Sequence, residues 1–248
     1  MLWIHDAKTD AGSAQLVMPH CESSIGVQRF FDPNGNTEQA RLVVCGAYGR
    51  AKPYFAPPRS ELIAVRVKPE LAEQFLSLKP AEYADHGAVD VEHSVTKFFD
   101  RTRRSAASAT ASQVGRQLIE DLECAAAAFQ PESGKCEHIA ARMLRRTNGR
   151  PSVASLANRL DVSERTLRRR FIAVLGMSPK TFARRLRVTG ALLRAEKSSN
   201  PNWAQIAHAA GYHDQSHMIA DFKLQTGMTP GETYAYRKSL SDFSNTAS

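Results

Sequence analysis

The sequence predicts a chain in two parts. An α+β amino-terminal domain, with a small and mostly antiparallel sheet plus helices, precedes an all-α carboxy-terminal domain in which two helix-turn-helix units are joined by a long helix. Three observations carry this prediction. Residues 12–68 alternate short β-like runs with turns, and residues from 137 onward space their apolar side chains at helical intervals. One phrase, a Phe, four residues and then Gly-Met-Ser/Thr-Pro, occurs twice, as FIAVLGMSP from Phe171 and as FKLQTGMTP from Phe222.

The β-like runs are AQLVMP, SIGVQRFF, ARLVVCGAY, PYFAP and ELIAVRV, and DPNGN between the second and third suits a hairpin turn. After Pro69, ELAEQFLSL places Leu71, Phe75 and Leu78 at helical spacing, and VTKFFDRTRR forms a further short helix. RTRRSAASATASQ reads as a flexible joint. It leads into a helix over 109–129 whose seam, Val114, Leu118, Leu122 and Phe129, either packs on the sheet or dimerises. The boundaries that follow are an amino-terminal domain over 1–98, a linker and connecting helix over 99–136, a helical domain over 137–240 and a disordered tail over 241–248. Phe30, Phe31, Tyr48, Tyr54 and Phe55 are either ordinary core or the lining of a ligand pocket.

Composition narrows the function classes. At 248 residues and 42% hydrophobic, the chain can bury one or two cores. No run approaches the ~18 apolar residues of a membrane helix, and the start lacks the basic-then-apolar order of a secretory signal, so a cytoplasmic protein is expected, with no membrane partner. Cys21, Cys45, Cys124 and Cys136 form no Cys-x-x-Cys pair and suit buried thiols in a reducing compartment. His5, His20, His86 and His93 lack metal-ligand spacing, so neither a metal nor a cofactor is expected. Phosphate-loop, nucleophile-elbow and zinc-protease motifs are missing, so the chain does not read as an enzyme. The net charge of +8 is uneven. Residues 137–248 hold 18 Lys and Arg against 8 Asp and Glu, while residues 1–136 hold 15 against 17. A basic half of that kind fits a polyanion, because cations that neutralise phosphates release condensed counterions.

The doubled phrase marks helix boundaries. Gly176 and Gly227 suit the left-handed position after a helix, and Ser178 and Thr229 suit the N-cap before Pro179 and Pro230. Upstream of the first copy, Ser152 caps a helix with Val153, Leu156, Ala157 and Leu160 inward. Ser163 caps the next, with Leu167, Phe171 and Val174 or Leu175 inward and Arg165, Arg168, Arg169 and Ile172 on the outer face. Upstream of the second copy, Asn202 caps a helix with Trp203, Ile206, Ala207 and Ala210 inward. Asp214 caps the next, with Met218 and Phe222 inward and Gln215, Ser216 and His217 at its exposed opening turn. Small Ala157 and Ala207 stand where paired helices must cross closely, the arrangement that swings a second helix outward as a major-groove reader.

Between the units, SPKTFARRLRVTGALLRAEKS reads as one helix with Phe182, Leu186, Thr189 and Leu193 on one stripe. Lys180, Arg184, Arg187 and Arg194 form a second stripe, expected to run beside phosphates. About 20 residues at ~1.5 Å span ~30 Å, close to the ~34 Å between major grooves on one face of a duplex.

The segments LANRLDVSERTLRRRF, GMSPKTFARRLR, IAHAAGYHDQSHMIADF and GMTPGETYAYR, in this order and spacing, resemble the AraC/XylS family of bacterial transcription regulators over residues 137–238. The resemblance implies sequence-specific binding to double-stranded DNA by two helix-turn-helix units. Base contacts would come from Arg165, Arg168 and Arg169 in the first and from Gln215, Ser216 and His217 in the second, since Arg grips guanine and Gln adenine bidentately. It further implies RNA polymerase as a partner. The amino-terminal half would be a regulatory domain that binds a small-molecule effector or forms a dimer, with monomer and homodimer both open. Ala220 and Asp221 depart from the family's basic pattern in the second unit and put its base contacts in doubt. Two other readings compete. In one, a DNA-repair alkyl-acceptor protein joins such a domain to a cysteine-based zinc module, of which only His20-Cys21 is a trace. In the other, a non-catalytic interaction module has a basic half that serves solubility.

Overall fold

In the computed structural model, which describes residues 2–7, 13–76, 78–86, 88–91, 96–128 and 134–244, the amino-terminal half is built on a five-stranded antiparallel sheet. The strands are β1 (Leu2–Ala7), β2 (Ser13–Val17), β3 (Ser23–Phe31), β4 (Thr37–Cys45), β5 (Lys52–Ala56), β6 (Ser60–Val67) and β7 (Ala88–Asp90). Five of them run in the order β1-β6-β3-β4-β7, while β2 and β5 form a separate antiparallel pair. The β3–β4 turn falls on DPNGN as expected. Asp32 Oδ1 accepts the backbone N–H groups of Asn34 and Asn36, and Gly35 takes φ 86°, where a Cβ would be penalised. β1 and β7 were not anticipated. The first lies before the alternating stretch and the second is three residues long, too short to show a period.

The central strands bury both faces. Ile25, Val27, Leu42, Val44, Ile63 and Val65 point into the main core, and the alternate residues Val43, Leu62 and Ala64 form a small cluster on the other side. The main core is closed by helices: α1 (Pro69–Leu76), the single turn α2 (Pro80–Tyr83), α3 (Thr96–Ser105) and α4 (Ala111–Ala128). Val114, Leu118 and Ala125 of α4 are buried against the sheet, so the seam takes the first of its two expected outcomes and packs within the chain. Phe129, the fourth seam position, lies outside the described residues.

The expected flexible joint is corrected by this packing. Arg101 to Arg104 are helical, Ala106 is buried, and the connection is tied at both ends. The buried Arg29 guanidinium, paired with Glu61, donates from Nη1 to Ala109 O at 2.6 Å, and Thr102 Oγ1 donates to Asp121 Oδ2 at 2.6 Å. Alanine and serine suggest a linker by composition, but long-range donors from the sheet satisfy its carbonyls.

The carboxy-terminal half holds α5 (Cys136–Arg146), α6 (Val153–Arg159), α7 (Glu164–Leu175), α8 (Pro179–Ala195), α9 (Trp203–Ala209), α10 (Gln215–Thr226) and α11 (Pro230–Ser244). Because α11 continues to Ser244, residues 241–244 of the expected tail are helical, and 245–248 lie outside the described residues. Two cores share α8. Its first half adds Phe182 and Ala183 to a cluster with Leu144, Leu156, Leu167 and Phe171, and Phe171 meets Phe182 edge-on at 5.4 Å. Its second half adds Val188, Ala191, Leu192 and Ala195 to a cluster with Ile206, Met218 and Phe222.

The two halves are joined directly. Cys21 and Ala47 enter the first helical core, and Arg145 Nε donates to Glu70 Oε1 at 3.1 Å. Arg185, almost fully buried on α8, donates to His20 O at 3.3 Å. At the far end, Ala51 N–H donates to Gln225 O at 2.8 Å and Leu16 N–H to the Tyr236 hydroxyl at 2.6 Å. Among the described residues no helix is long and apolar enough to cross a membrane.

Candidate nucleic-acid interface

The second helix of each unit is positioned by the residue just before it. Ser163 accepts the Thr166 N–H at 3.1 Å and starts α7, and Asp214 accepts the His217 N–H at 2.7 Å and starts α10. The bond from His217 holds the Asp214 carboxyl below its usual range. Gly176 and Gly227 stop the two helices in the left-handed conformation, φ 71° and 75°. Ser163→Ala should therefore remove an N-cap and destabilise the domain by about 1 kcal/mol in urea unfolding, with Ser163→Asp close to the parent.

The first unit presents an open concavity of about 700 Å³ lined by Val153, Glu164, Arg165, Arg168, Arg169, Ile172, Ser178, Pro179 and Lys180. Leu167, Phe171 and Leu175 face inward, which turns the three arginines outward. Arg165, Arg168, Arg169 and Lys180 are exposed, and no described residue pairs with them. The structure thus brings four of the expected residues together and adds Ile172, Glu164 and Val153. The neighbouring Arg170 turns away, with Nη1 at 3.5 Å from Cys136 Sγ.

In the second unit Gln215, Ser216 and His217 are exposed at the opening of α10, and the His217 ring meets Tyr212 edge-on at 5.3 Å. Ala220 is also exposed. Asp221 is 2% exposed and faces α8, where it lies 3.1 Å from Arg184 Nε and 3.4 Å from Arg187 Nη2. Arg187 also lies over the Tyr212 ring at 5.2 Å.

Two expectations about α8 are corrected. The apolar stripe does not run through Leu193, which is 46% exposed; the buried track is Phe182, Arg185, Val188, Leu192 and Ala195, because α8 is wrapped by two units and the sheet domain at once. The basic stripe is not one free face. Lys180 opens into the concavity, Arg184 and Arg187 hold Asp221, and Arg194 Nη1 donates to Gly190 O at 2.8 Å. The helix is also shorter than expected, 17 residues and so ~25 Å.

A family profile described as a helix-turn-helix domain matches residues 156–236. A putative AraC-like transcription regulator of Streptomyces lividans is 39% identical over 87 residues, 35% of this chain and 27% of that protein. Residues 156–236 form an AraC-type helix-turn-helix domain. The AraC-type domain is likewise similar to the transcriptional activator RhaS of Pectobacterium carotovorum, 34% identical over 76 residues, 31% of this chain and 27% of that protein. The chain thus matches about a quarter of the length of these relatives. Beyond the AraC-type domain, a crystal structure of ToxT from Vibrio cholerae O395 aligns over 95% of this chain and 97% of that one, at 8% identity and TM-score 0.48.

Away from the AraC-type domain, the expected aromatic pocket is a recess of about 50 Å³ between the sheet and the β2–β5 pair. Tyr48 and Tyr54 line it with His20 and Arg66, whereas Phe55 is 72% exposed and Phe30 and Phe31 stack on Arg41 and Arg29. Ligand cavities of ~300–1,000 Å³ are an order of magnitude larger. Burial and the nearby Arg66 push His20 down to about 4, so it is neutral near pH 7. Burial pushes the Cys21 thiol up, and Cys45 up to about 12, the reverse of the shift that activates a nucleophilic cysteine. Cys124 is exposed, which corrects the expectation that all four thiols are buried. Among the described residues no cluster of three His, Cys, Asp or Glu can hold a metal ion.

Proposed function

We propose that the protein is a sequence-specific DNA-binding transcription regulator that lays α7 and α10 into successive major grooves of one duplex. The observation that carries this is the concavity on the AraC-type domain, in which Arg165, Arg168, Arg169 and Lys180 converge without protein partners among the described residues. Guanidinium groups there supply planar forks for guanine O6 and N7, and Lys180 supplies a point charge for phosphate. Gln215, Ser216 and His217 give the second helix a smaller set of contacts that lacks arginine, so the two half-elements of the site contribute unequally. Of the four α8 cations, Lys180 is the one with no partner among the described residues, and Arg184, Arg187 and Arg194 act first as structure.

Residues 1–98, with α3 and α4 packed on their sheet, form the regulatory part in this reading, and 137–240 the DNA-binding part. In this reading the regulatory part answers to a small-molecule effector, for which the 50 Å³ recess is too small as it stands, and RNA polymerase is the downstream partner. The test is selection from a random DNA pool at near-physiological salt, followed by affinity against salt for the enriched sequence. Two half-elements about one helical turn apart are expected, with log K falling steeply with log salt. Binding that is weak and indifferent to sequence would overturn the reading in favour of an interaction module.

A further inference from the structure

We propose that Ile172 recognises the 5-methyl group of a thymine, so that the first reading helix specifies a thymine beside the base pairs gripped by its arginines. This rests on the reading of α7 as a major-groove helix and adds a specificity that arginine cannot supply. Arg165, Arg168, Arg169 and Ile172 stand at i, i+3, i+4 and i+7, one face of an α-helix, and all four line the same concavity. Ile172 is 40% exposed in a lining that holds four cations with Glu164 and Val153, and it belongs to neither of the two helical cores.

Ile172 differs from a scattered surface apolar side chain by its place, on the same helical face and in the same concavity as three arginines. A β-branched side chain lowers helix propensity slightly, and its aliphatic carbon gains nothing from phosphate oxygens or guanine acceptors. The major groove offers one apolar group, the thymine methyl, and aliphatic side chains are the type that meets it. Seven residues of helix rise separate Ile172 from Arg165 by about 10 Å, or roughly three base-pair steps at 3.4 Å. The thymine is therefore expected within about three steps of the pair that Arg165 contacts. The arginines on either side hold the helix down by charge, and the methyl contact selects the register.

The experiment replaces each thymine of the enriched site in turn by deoxyuridine, which removes the 5-methyl group and leaves pairing intact. The intact chain should lose about four-fold in affinity at one thymine of the first half-element, the equivalent of ~0.8 kcal/mol for one buried methyl. Ile172→Ala, on an exposed helical face and expected to fold, should bind both DNAs with the same lowered affinity, while Arg169→Ala should retain the methyl dependence. An enriched site at which no thymine methyl matters would overturn the proposal and leave the reading of α7 standing. So would a four-fold loss that persists in Ile172→Ala. Failure to enrich any site would instead overturn that reading, and the proposal with it.

Discussion

Arg169→Ala is expected to weaken binding to the enriched site by roughly ten- to a hundred-fold while changing affinity for unrelated DNA little. A bidentate Arg–guanine contact is worth about 1–3 kcal/mol of discrimination, and it depends on a guanidinium that arrives with its donors unused. Arg169 meets that condition: it is exposed, it lines the concavity of α7, and no described residue pairs with it. Leu167 and Phe171, fully buried on the opposite face, fix the rotation of the helix, so truncation at 169 removes contacts without moving the scaffold. His217→Ala should cost only a few-fold. Its imidazole is already seated edge-on against Tyr212 and brings fewer donors to a base. Lys180→Ala should behave differently again, lowering affinity for all sequences and flattening the salt dependence by about one unit of slope. Competition between the enriched site and a scrambled one at fixed salt separates the three. A larger loss of discrimination for His217→Ala than for Arg169→Ala would show that the second helix is the principal reader.

The cap and stop residues of the helical half were legible because they act within four residues of themselves. Ser152, Ser163, Ser178, Asn202 and Asp214 each accept the N–H three residues on, and the glycines after α7 and α10 take positive φ. Helical spacing likewise identified Leu167, Phe171, Met218 and Phe222 as inward. Periodicity says which face is buried but not what lies on it, and α8 shows the limit. A helix packed by two units and a sheet domain has no single polar stripe, so Arg185 is buried while Leu193 is exposed. Asp221 marks the same limit. Beside Ala220 it read as a defect in a recognition helix, whereas it faces inward and closes an ion pair with arginines 34 and 37 positions earlier. An acidic residue at the place held by Arg170 in the first unit was the available clue. Contacts between the halves, such as Glu70 with Arg145 and Ala51 with Gln225, left no local trace.

Asp221 gives the largest expected effect on stability, because it fixes α10 to α8. Its carboxylate is 2% exposed and meets two guanidinium groups, of which the Arg187 side chain is 16% and the Arg184 side chain 33% exposed. Removing one partner of a buried pair costs about 3–5 kcal/mol when the remaining charge has no route to water. Asp221→Ala leaves two arginines, one of them a third exposed and able to turn toward solvent, so its cost should be about 2–3 kcal/mol. The double change of Arg184 and Arg187 to alanine strands the deeply buried carboxylate and should reach the upper end of the range. Urea unfolding of the three proteins tests the order, and equal midpoints would show that apolar packing alone holds α10. The binding consequence runs the other way. In Asp221→Asn the two arginines lose their counter-charge beside a polyanion and become free for phosphate, so affinity for unrelated DNA should rise and the salt slope should steepen by up to about two units. Affinity for the enriched site should rise less than affinity for unrelated DNA, since phosphate contacts add to every sequence alike. On the proposed reading, Asp221 therefore limits how much of the positive charge of α8 reaches DNA, and leaves discrimination to the concavity around Arg169.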